Sequence, residues 1–270
     1  MEKIRKNKKV IAVFLIPAVL IYLCFELIPV VMSVYFSFND WPGLQAVPLK
    51  FVGFKNYSNL FHNAVFLKSL QNVLIYVVVS VILQVPIGFG LGLLIHHFKK
   101  GQRFFKAAFF IPMILSVTAV ALLWNFIYFP TDKGILNSLL IKIGLGNYIQ
   151  QWLVNPKTSL ICLIVVSTWT SVGYYMIICL AGLTSIPDSV LEAGELDGAT
   201  GWKKIWNLYI PMLWEPLKMS TIMVITGVLK IFDTVYILTP TGGTSNCTIV
   251  PALLMYNEAY RYGHFGNGCV

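Results

Sequence analysis

Side chains that could carry out chemistry are sparse in this 270-residue chain, and their spacing forms no catalytic arrangement. The four histidines are scattered, and the sequence shows no Ser-His-Asp set and no close pair of catalytic carboxylates. A GxxxxGK[ST] phosphate-binding loop is also missing, so we expect this chain not to bind ATP in the usual way. The sequence therefore predicts a chain with no catalytic residues, no metal and no cofactor of its own.

The five cysteines have no metal-ligand spacing and no CxxC motif. Cys24, Cys162 and Cys179 lie inside apolar runs, where we expect small buried residues. Cys247 and Cys269 lie in a late polar region, and the sequence leaves open whether they form a disulfide.

The acidic residues are densest in a polar stretch that begins at Pro187. This proline stops one helix, and Asp188 or Ser189 can cap the next by accepting a backbone N–H bond. Apolar and acidic positions then recur at near-helical spacing, which predicts a short amphipathic helix ending near Gly198. Pro211 marks the start of the next apolar segment. A plain connecting loop would not need such an element, so this stretch is the strongest functional signal in the sequence.

The composition places the chain in a membrane. Hydrophobic residues make up 57% of the sequence and charged residues only 11%, against about 25% charged residues in soluble domains. So few charges could not cover a core of this size in water. The net charge of +9 lies in short basic clusters between apolar stretches, which is typical of the membrane–water boundary and not of a nucleic-acid-binding protein.

Five apolar segments are long enough to cross a bilayer as helices, since about 20 residues span the hydrocarbon core. They run from about Val10 to Val34, Ser69 to Ile95, Ala107 to Phe129, Thr158 to Gly182 and Leu213 to Ile237. Helices are required because a lone strand in lipid would leave its backbone groups unpaired. The internal prolines, which should bend these helices locally, are Pro17, Pro29, Pro86 and Pro112.

The distribution of lysine and arginine predicts a cytoplasmic N-terminus. The densest clusters, residues 3–9 and 99–106, adjoin the first three segments, where the positive-inside rule is strongest. The first segment is too long for the apolar region of a signal peptide, and no small-x-small cleavage pattern follows it, so we expect a retained helix. Five crossings would leave the C-terminus outside, and we expect a sixth helix to follow Val270 in the natural protein.

The polar stretch also resembles the EAA loop of ABC-importer permeases, whose pattern is E-A-A, three residues, G, nine residues, then I-x-L-P. The residues that match it in register are Glu192, Ala193, Gly198 and Pro211. The residues that depart from it are Gly194, Leu208 and Ile210, in place of alanine, isoleucine and leucine. The glycine should loosen the helix by about 0.5–1 kcal/mol.

Other pieces of the chain resemble the carbohydrate-uptake branch of the same permeases, in order and spacing. These pieces are Phe51–Tyr57, Arg103–Trp124, Gly134–Asn137, Trp152–Pro156, and Phe232–Thr239 followed by Gly242 and Gly243. Each piece is weak alone, and together they cover most of the chain.

The resemblance implies an all-α membrane protein with the type I ABC-importer permease fold, as one transmembrane domain over residues 1–270 in the bacterial cytoplasmic membrane. The implied partners are a second permease subunit of similar fold, two ATPase subunits that hold ATP and Mg, an extracytoplasmic solute-binding protein and membrane lipid, with no nucleic acid. Residues 187–202 would form a coupling helix that docks into the ATPase. The implied coupling residues are Glu192, Ala193, Gly194, Asp197, Gly198 and Pro211.

The resemblance further implies a sugar, oligosaccharide or glycoside as solute. A permease for another small solute such as an amino acid, and a polytopic membrane enzyme, stay as alternatives. Sugar sites combine hydrogen-bonding groups with aromatic platforms, and the candidates for the solute path are Asn125, Trp169, Tyr174, Tyr175, Lys230 and Asp233. Such aromatics also serve as interfacial anchors, and asparagine often joins helices. On a continuous helix, Lys230 and Asp233 would pair on one face.

Overall fold

The computed structural model describes residues 8–44, 46–98 and 101–270, with the side chains of residues 8–10 outside the description. Helices fill most of these ranges, and the two strands found there are two residues long each. The all-α prediction is therefore confirmed. The basic residues Lys3, Arg5, Lys6, Lys99 and Lys100, which contribute to the predicted orientation, lie outside the described residues.

The chain folds as two compact units, one made of Leu254–Val270 with the described residues up to Leu67, the other of Lys68–Leu253. The first unit begins with a long apolar helix made of α1 (Lys8–Tyr22), a π turn (Leu23–Leu27) and α2 (Ile28–Ser37). β1 (Asn39–Asp40) and β2 (Lys50–Phe51) then pair antiparallel, and α3 (Lys55–His62) follows.

The Phe51–Tyr57 stretch ties these elements together. Nδ2 of the buried Asn56 donates to the carbonyl oxygens of Ser37 and Asn39 at 2.9 and 3.0 Å. The Tyr57 hydroxyl lies 2.7 Å from Oγ of Ser37. Gly53 turns the chain from β2 into α3 with φ +56, a conformation that favours glycine. The motif therefore has a structural reason in the folding of the segment after α2.

The second unit contains most of a long helix, whose residues Ala64–Leu67 belong to the first unit, together with two bent helix pairs and several short helices. In chain order they are α4 (Ala64–His97), α5 (Gln102–Ile114), α6 (Val117–Ile127), α7 (Ile135–Lys142), α8 (Ser159–Thr184), α9 (Asp188–Leu196), α10 (Trp202–Lys204), a π turn (Ile205–Tyr209), α11 (Ile210–Met212), α12 (Trp214–Leu229) and α13 (Asp233–Leu238). α14 (Pro251–Tyr256), a π turn (Asn257–Arg261) and α15 (Phe265–Gly268) complete the chain, with the residues from Leu254 onward in the first unit.

Three helices in the described ranges are long and apolar enough to cross a membrane, namely Ile11–Ser37, α4 and α8. The number rises to five if the bent pairs α5–α6 and α10–α12 each count as one span. Glycines allow close helix packing inside the second unit. A Cβ on Gly88 of α4 would lie 2.8 Å from Cβ of Tyr175, and a Cβ on Gly173 of α8 would overlap the carbonyl of Phe109 in α5.

The third predicted segment is not one straight helix, which corrects the predicted span 107–129. α5 and α6 meet at an angle of 98°. Leu115 and Ser116 are extended between them, and Oγ of Ser116 accepts a 3.2 Å hydrogen bond from the Ala119 N–H, which starts a new helix. The sequence placed a bend at Pro112, but the cap at Ser116 determines where the helix breaks.

Two of the three π turns have the same local cause. Ile28 and Ile210 each donate their N–H to the carbonyl five residues earlier, at Leu23 and Ile205, and a proline follows each isoleucine. Proline has no N–H, and its ring collides with the carbonyl four residues earlier in a regular α-helix. A wider turn just before the proline relieves that collision.

Candidate functional site

The inward face of α9 is anchored on an apolar base. Val190 and Leu191 are half-buried on this face. They pack against a cluster of buried residues that precede and follow α9 in the chain. This cluster is called the base, and it consists of Leu183, Ile186, Tyr209 and Leu213.

The opposite face of α9 is exposed. Glu192 and Ala193 are exposed, and the side chain of Leu196 is 90% exposed. Glu192 and Leu196 are four residues apart, so they lie on the same side of the helix. Glu192 has no ion-pair partner within the described part of the chain. These three residues are called the docking face, and all three are exposed in the described part of the chain.

The structure corrects the predicted cap at the start of α9. Pro187 occupies the cap position with φ −62 and ψ 140, and no described side chain caps this end by a hydrogen bond. Asp188 and Ser189 are already helical, so neither stands in front of the helix as a capping side chain must. Asp188 lies instead in the first turn, where its negative charge interacts favourably with the helix dipole.

The end of α9 is a Schellman motif, close to the predicted position. Gly198 has φ +81, and its N–H donates to the Glu195 carbonyl at 3.0 Å. The Ala199 N–H donates to the Gly194 carbonyl at 2.8 Å. This pattern satisfies carbonyls at the helix end and needs a left-handed residue after the cap Asp197. The requirement for Gly198 is thus conformational, and a Cβ there would meet no atom within 4 Å.

Two of the departures from the EAA pattern contact each other. A Cβ on Gly194 would lie 3.2 Å from Cδ2 of Leu208, a distance tighter than ordinary van der Waals contact. Leucine at position 208 carries two Cδ atoms where the isoleucine of the pattern carries one, and glycine at position 194 makes room for them. The glycine therefore contributes to packing and is more than a weakened helix position.

An ion pair that the sequence did not predict joins α9 to α10. Nζ of Lys204 donates to Oε1 of Glu195 at 2.6 Å. The same ammonium group lies 5.7 Å from the centroid of the Tyr209 ring. The nine-residue separation of Lys204 and Glu195 crosses the Schellman turn, so no helical periodicity indicates it.

The loop leads into the membrane segment through a sharp bend. α10–α11 and α12 meet at 73°, with the fully buried Leu213 at the break. Pro211 is exposed and lies in α11, two residues before the bend. The base under α9 therefore includes the residue at which α12 begins.

Asn125 lines a cavity of about 390 Å³, which falls in the size range of small-molecule sites. Tyr128, Gln151 and Leu238 line the same cavity. It thus combines two amides with aromatic and aliphatic surface.

The tryptophan next to Asn125 carries an unsatisfied polar atom. The rings of Trp124 and Trp169 are 5.8 Å apart at 74°. Nε1 of Trp124 and Oγ1 of Thr168 are buried and have no hydrogen-bond partner among the described residues. Such atoms are costly unless a ligand or water completes them. The sequence did not single out Thr168, because one threonine in an apolar helix gives no signal.

Tyr174 and Tyr175 lie on α8 and line no part of the cavity beside Asn125. The Tyr174 hydroxyl donates to Sδ of Met223 at 3.7 Å. Tyr175 is 7% exposed and packs against Gly88 of α4. The structure therefore places Tyr175 in helix packing, whereas Asn125 faces an open space.

Lys230 and Asp233 do not share a continuous helix, which corrects the predicted pairing. α12 ends at Leu229, Lys230 is its cap, and Phe232 has φ −136 and ψ −60. Asp233 is the first residue of α13. No ion pair joins these two exposed, described residues. Three-residue spacing gives a shared face only in an unbroken helix.

The outer-loop motif Gly134–Asn137 has a structural reason. Asn137 is fully buried, and its Nδ2 donates to the carbonyl oxygens of Phe129, Thr131 and Gln150. Its Oδ1 accepts a 2.8 Å hydrogen bond from Nε1 of Trp152. The Asn137 amide therefore connects Gly134–Asn137 with Trp152–Pro156, which the sequence resemblance identifies as two separate pieces.

The thiols of Cys247 and Cys269 are free, so the structure contains no disulfide between them. Burial raises the pKa of the Cys269 thiol. Cys162 and Cys179 are buried as predicted, but Cys24 is exposed. It lies on the first apolar helix, whose membrane-spanning window has no buried residue.

A family profile described as "Binding-protein-dependent transport system inner membrane component" matches residues 84–265. The matched range includes α9, both bent helix pairs and the cavity beside Asn125. The chain belongs to this family. It is therefore a multi-pass inner-membrane component of a transport system.

Two relatives match this transport component along most of their length. The probable ABC transporter permease protein YurN of Bacillus subtilis (strain 168) is 36% identical over 266 residues, covering 97% of this chain and 89% of the relative. The lactose transport system permease protein LacF of Rhizobium radiobacter is 32% identical over 251 residues, covering 92% of this chain and 83% of the relative. These matches confirm the prediction of an ABC permease subunit.

The fold is similar to a crystal structure of a bacterial ABC transporter involved in the import of the acidic polysaccharide alginate. The TM-score is 0.83 at 22% sequence identity, and the match covers 99% of this chain and 90% of that chain. The predicted type I ABC-importer permease fold is thereby confirmed.

Proposed function

We propose that this chain is the permease subunit of an ATP-driven importer that moves a sugar, an oligosaccharide or a glycoside across the cytoplasmic membrane. The docking face of α9 carries the proposal. Glu192, Ala193 and Leu196 are exposed, while the other side of the same helix is fixed to a buried base. A helix held on one side and bare on the other is suited to receive a partner and to transmit its movement.

The partner that fits the docking face is a cytoplasmic ATPase subunit. A basic residue of its cleft would pair with Glu192, and Leu196 would fill an apolar part of the same cleft. ATP and Mg would be held by two such subunits and not by this chain. A cytoplasmic N-terminus, as predicted from the basic clusters, would place α9 on the ATPase side of the membrane.

Movement of α9 would reach the membrane through its base. Leu213 belongs to that base and also marks the 73° bend into α12. A displacement of α9 would therefore change the tilt of α12 instead of being absorbed by a loose loop. A second permease of similar fold would complete the path. ATP would favour the outward-open state because the assembled transporter binds ATP more tightly in that state.

The sugar class is supported by the relatives and by the cavity beside Asn125. LacF is described as a lactose transport permease, and the similar solved transporter imports alginate. A second structure of the alginate transporter includes a periplasmic protein bound to an alginate pentasaccharide. We propose that a soluble binding protein likewise delivers solute to this permease. The amides of Asn125 and Gln151 with the ring of Tyr128 supply the mixed surface that a sugar site uses.

The test is a reconstituted transporter that contains this permease, its ATPase, the second permease and the binding protein. We expect the ATPase to purify with the permease, and ATP hydrolysis to rise with at least one sugar in a panel of saccharides and amino acids. Stimulation by an amino acid alone would refute the sugar class and leave the transporter role intact. A permease that purifies without any ATPase would refute the coupling role itself.

A further inference from the structure

Two adjoining cavities form a groove between α4 and the α10–α12 segment, within the second unit. Their volumes are about 480 and 550 Å³. They adjoin because four residues line both of them, Gly90, Leu93, Trp202 and Ile205.

One end of the groove is apolar. Besides the shared residues, its lining consists of Val85, Pro86, Phe89, Trp206, Ile210 and Leu217. None of these side chains carries a charge, and only the Trp indoles carry a polar atom. Such a surface offers no partner to a polar solute, but it matches a hydrocarbon chain.

The other end of the groove adds cationic and polar groups, from His97, Lys204 and Tyr209. Lys204 gives one N–H to Glu195, and its ammonium group also interacts with the Tyr209 side chain. His97 Nδ1 lies 2.8 Å from the Leu93 carbonyl, which can only accept, so Nδ1 carries the hydrogen and Nε2 of the neutral ring is an acceptor. Lys203 is exposed beside Lys204 and has no ion-pair partner among the described residues.

The length of the groove fits one leaflet of a bilayer. From Val85 to His97, α4 rises by about 18 Å at 1.5 Å per residue, against about 15 Å for half of the hydrocarbon core. Trp202 and Trp206 are 76% and 64% exposed at the groove, and tryptophan is typical of the membrane–water interface. The cationic end therefore lies at headgroup level when the apolar end lies among acyl chains.

We propose that this groove binds one anionic phospholipid, with an acyl chain along the apolar end and the phosphate near Lys203 and Lys204. Charge complementarity selects the occupant, because Lys203 and Lys204 are neighbours at this end and Glu195 pairs with Lys204 alone. The bound lipid lies under α10, which is joined to the coupling helix by the Lys204–Glu195 pair. The inference does not depend on which solute the transporter carries.

Gly90 allows a direct test of the apolar end. A Cβ at Gly90 would meet no atom within 4 Å, so Gly90→Leu has room to begin a side chain in the groove. Gly227 of α12 is also open, lines neither cavity, and provides the matched control Gly227→Leu. Both changes replace glycine in a helix with a better helix former, so neither should prevent folding.

Lys203→Gln tests the cationic end, because Lys203 does not line the cavities itself but lies between the lining residues Trp202 and Lys204. Lys142→Gln is the control, because Lys142 is also exposed but lies on α7, where neither neighbour in the chain lines the groove. About 1 kcal/mol per surface cation predicts about a fivefold loss of anionic lipid for Lys203→Gln.

The assembled transporter is placed in nanodiscs of phosphatidylglycerol and phosphatidylcholine, and retained lipid is counted by native mass spectrometry. We expect the wild type and both controls to retain one phosphatidylglycerol, and Gly90→Leu to lose it. Lys203→Gln should retain about fivefold less phosphatidylglycerol than the wild type. Equal retention by Gly90→Leu and Gly227→Leu would overturn the site. Equal retention of the two lipids by the wild type would show ordinary boundary lipid and would overturn the anionic specificity.

Discussion

Glu192, Ala193 and Leu196 form the exposed face of α9, whereas Leu191 on the same helix packs against a buried base. At the scale of residues, the function of the coupling loop thus depends on which side chains are left in solvent. Exposure separates residues that hold the helix from residues that are available to a partner. Two predictions use that separation.

Replacing Glu192 with lysine should abolish solute-stimulated ATP hydrolysis, because it sets a positive charge against the basic residue expected in the ATPase cleft. Insertion of the permease should be unchanged, since Glu192 is exposed and has no ion-pair partner within the described residues. The measurement is ATPase rate with and without solute in proteoliposomes. Thr200→Lys places a lysine on the same exposed loop, outside α9, and should keep stimulation. Normal stimulation in Glu192→Lys would refute the docking assignment.

Leu196→Ala and Leu191→Ala should fail in different ways. Leu196 is 90% exposed, so its truncation should change permease stability by less than about 0.5 kcal/mol and weaken ATPase binding by more than about 1 kcal/mol, as at an interface hot spot. Leu191 is half-buried against the base, so its truncation should lower the thermal midpoint of the purified permease. Thermal unfolding and ATPase retention on an affinity resin distinguish the two. A destabilised Leu196→Ala would mean that this leucine packs within the permease.

At the scale of elements, short local devices decide where helices turn. Ser116 starts α6 after a 98° break, the Gly198 turn ends α9, and wide π turns precede Pro29 and Pro211. The break after α12 has no proline or glycine at Lys230, Ile231 or Phe232. It separates two charges that the sequence had placed on one helix.

Exchanging the charges of Lys230 and Asp233 should therefore not rescue the single variants. Asp233 lies in the first turn of α13, where a negative charge is favoured by about 0.3–1 kcal/mol and a positive charge is disfavoured. We expect Asp233→Ala to lower transport somewhat, Asp233→Glu to retain it, and the double exchange Lys230→Asp with Asp233→Lys to transport no better than Asp233→Lys. Uptake of radiolabelled solute per unit of permease measures this. Recovery in the double exchange would show that the two charges pair in the working transporter.

At the scale of the whole molecule, three long apolar helices and two bent pairs supply the spans. Five crossings with a cytoplasmic N-terminus put the loop between α7 and α8 outside, and the loop between α9 and α10 inside.

We expect Asn147→Cys, in an otherwise cysteine-free permease, to react with a membrane-impermeant maleimide in intact cells. Thr200→Cys should react only after the cells are permeabilised. Both positions are exposed, so access to water and not burial limits labelling. The reverse pattern would invert the orientation and remove α9 from the side of the ATPase.

The sequence alone determined the membrane environment, the apolar segments and the position of α9. These features need no tertiary contacts, because composition and helix length depend on the solvent and on local hydrogen bonding. The end of α9 at Gly198 likewise depends on the backbone conformation of one residue. The register of Glu192, Ala193, Gly198 and Pro211 likewise needs no tertiary information.

Only the tertiary structure decided which residues meet. The contact of Gly194 with Leu208, the Lys204–Glu195 pair, and the buried atoms of Trp124 and Thr168 depend on how the chain returns on itself. Periodicity in the sequence presumes unbroken helices, and it failed at Lys230 because α12 ends there. Breaks set by long-range packing leave no local sequence signal, and they determine which side chains share a site.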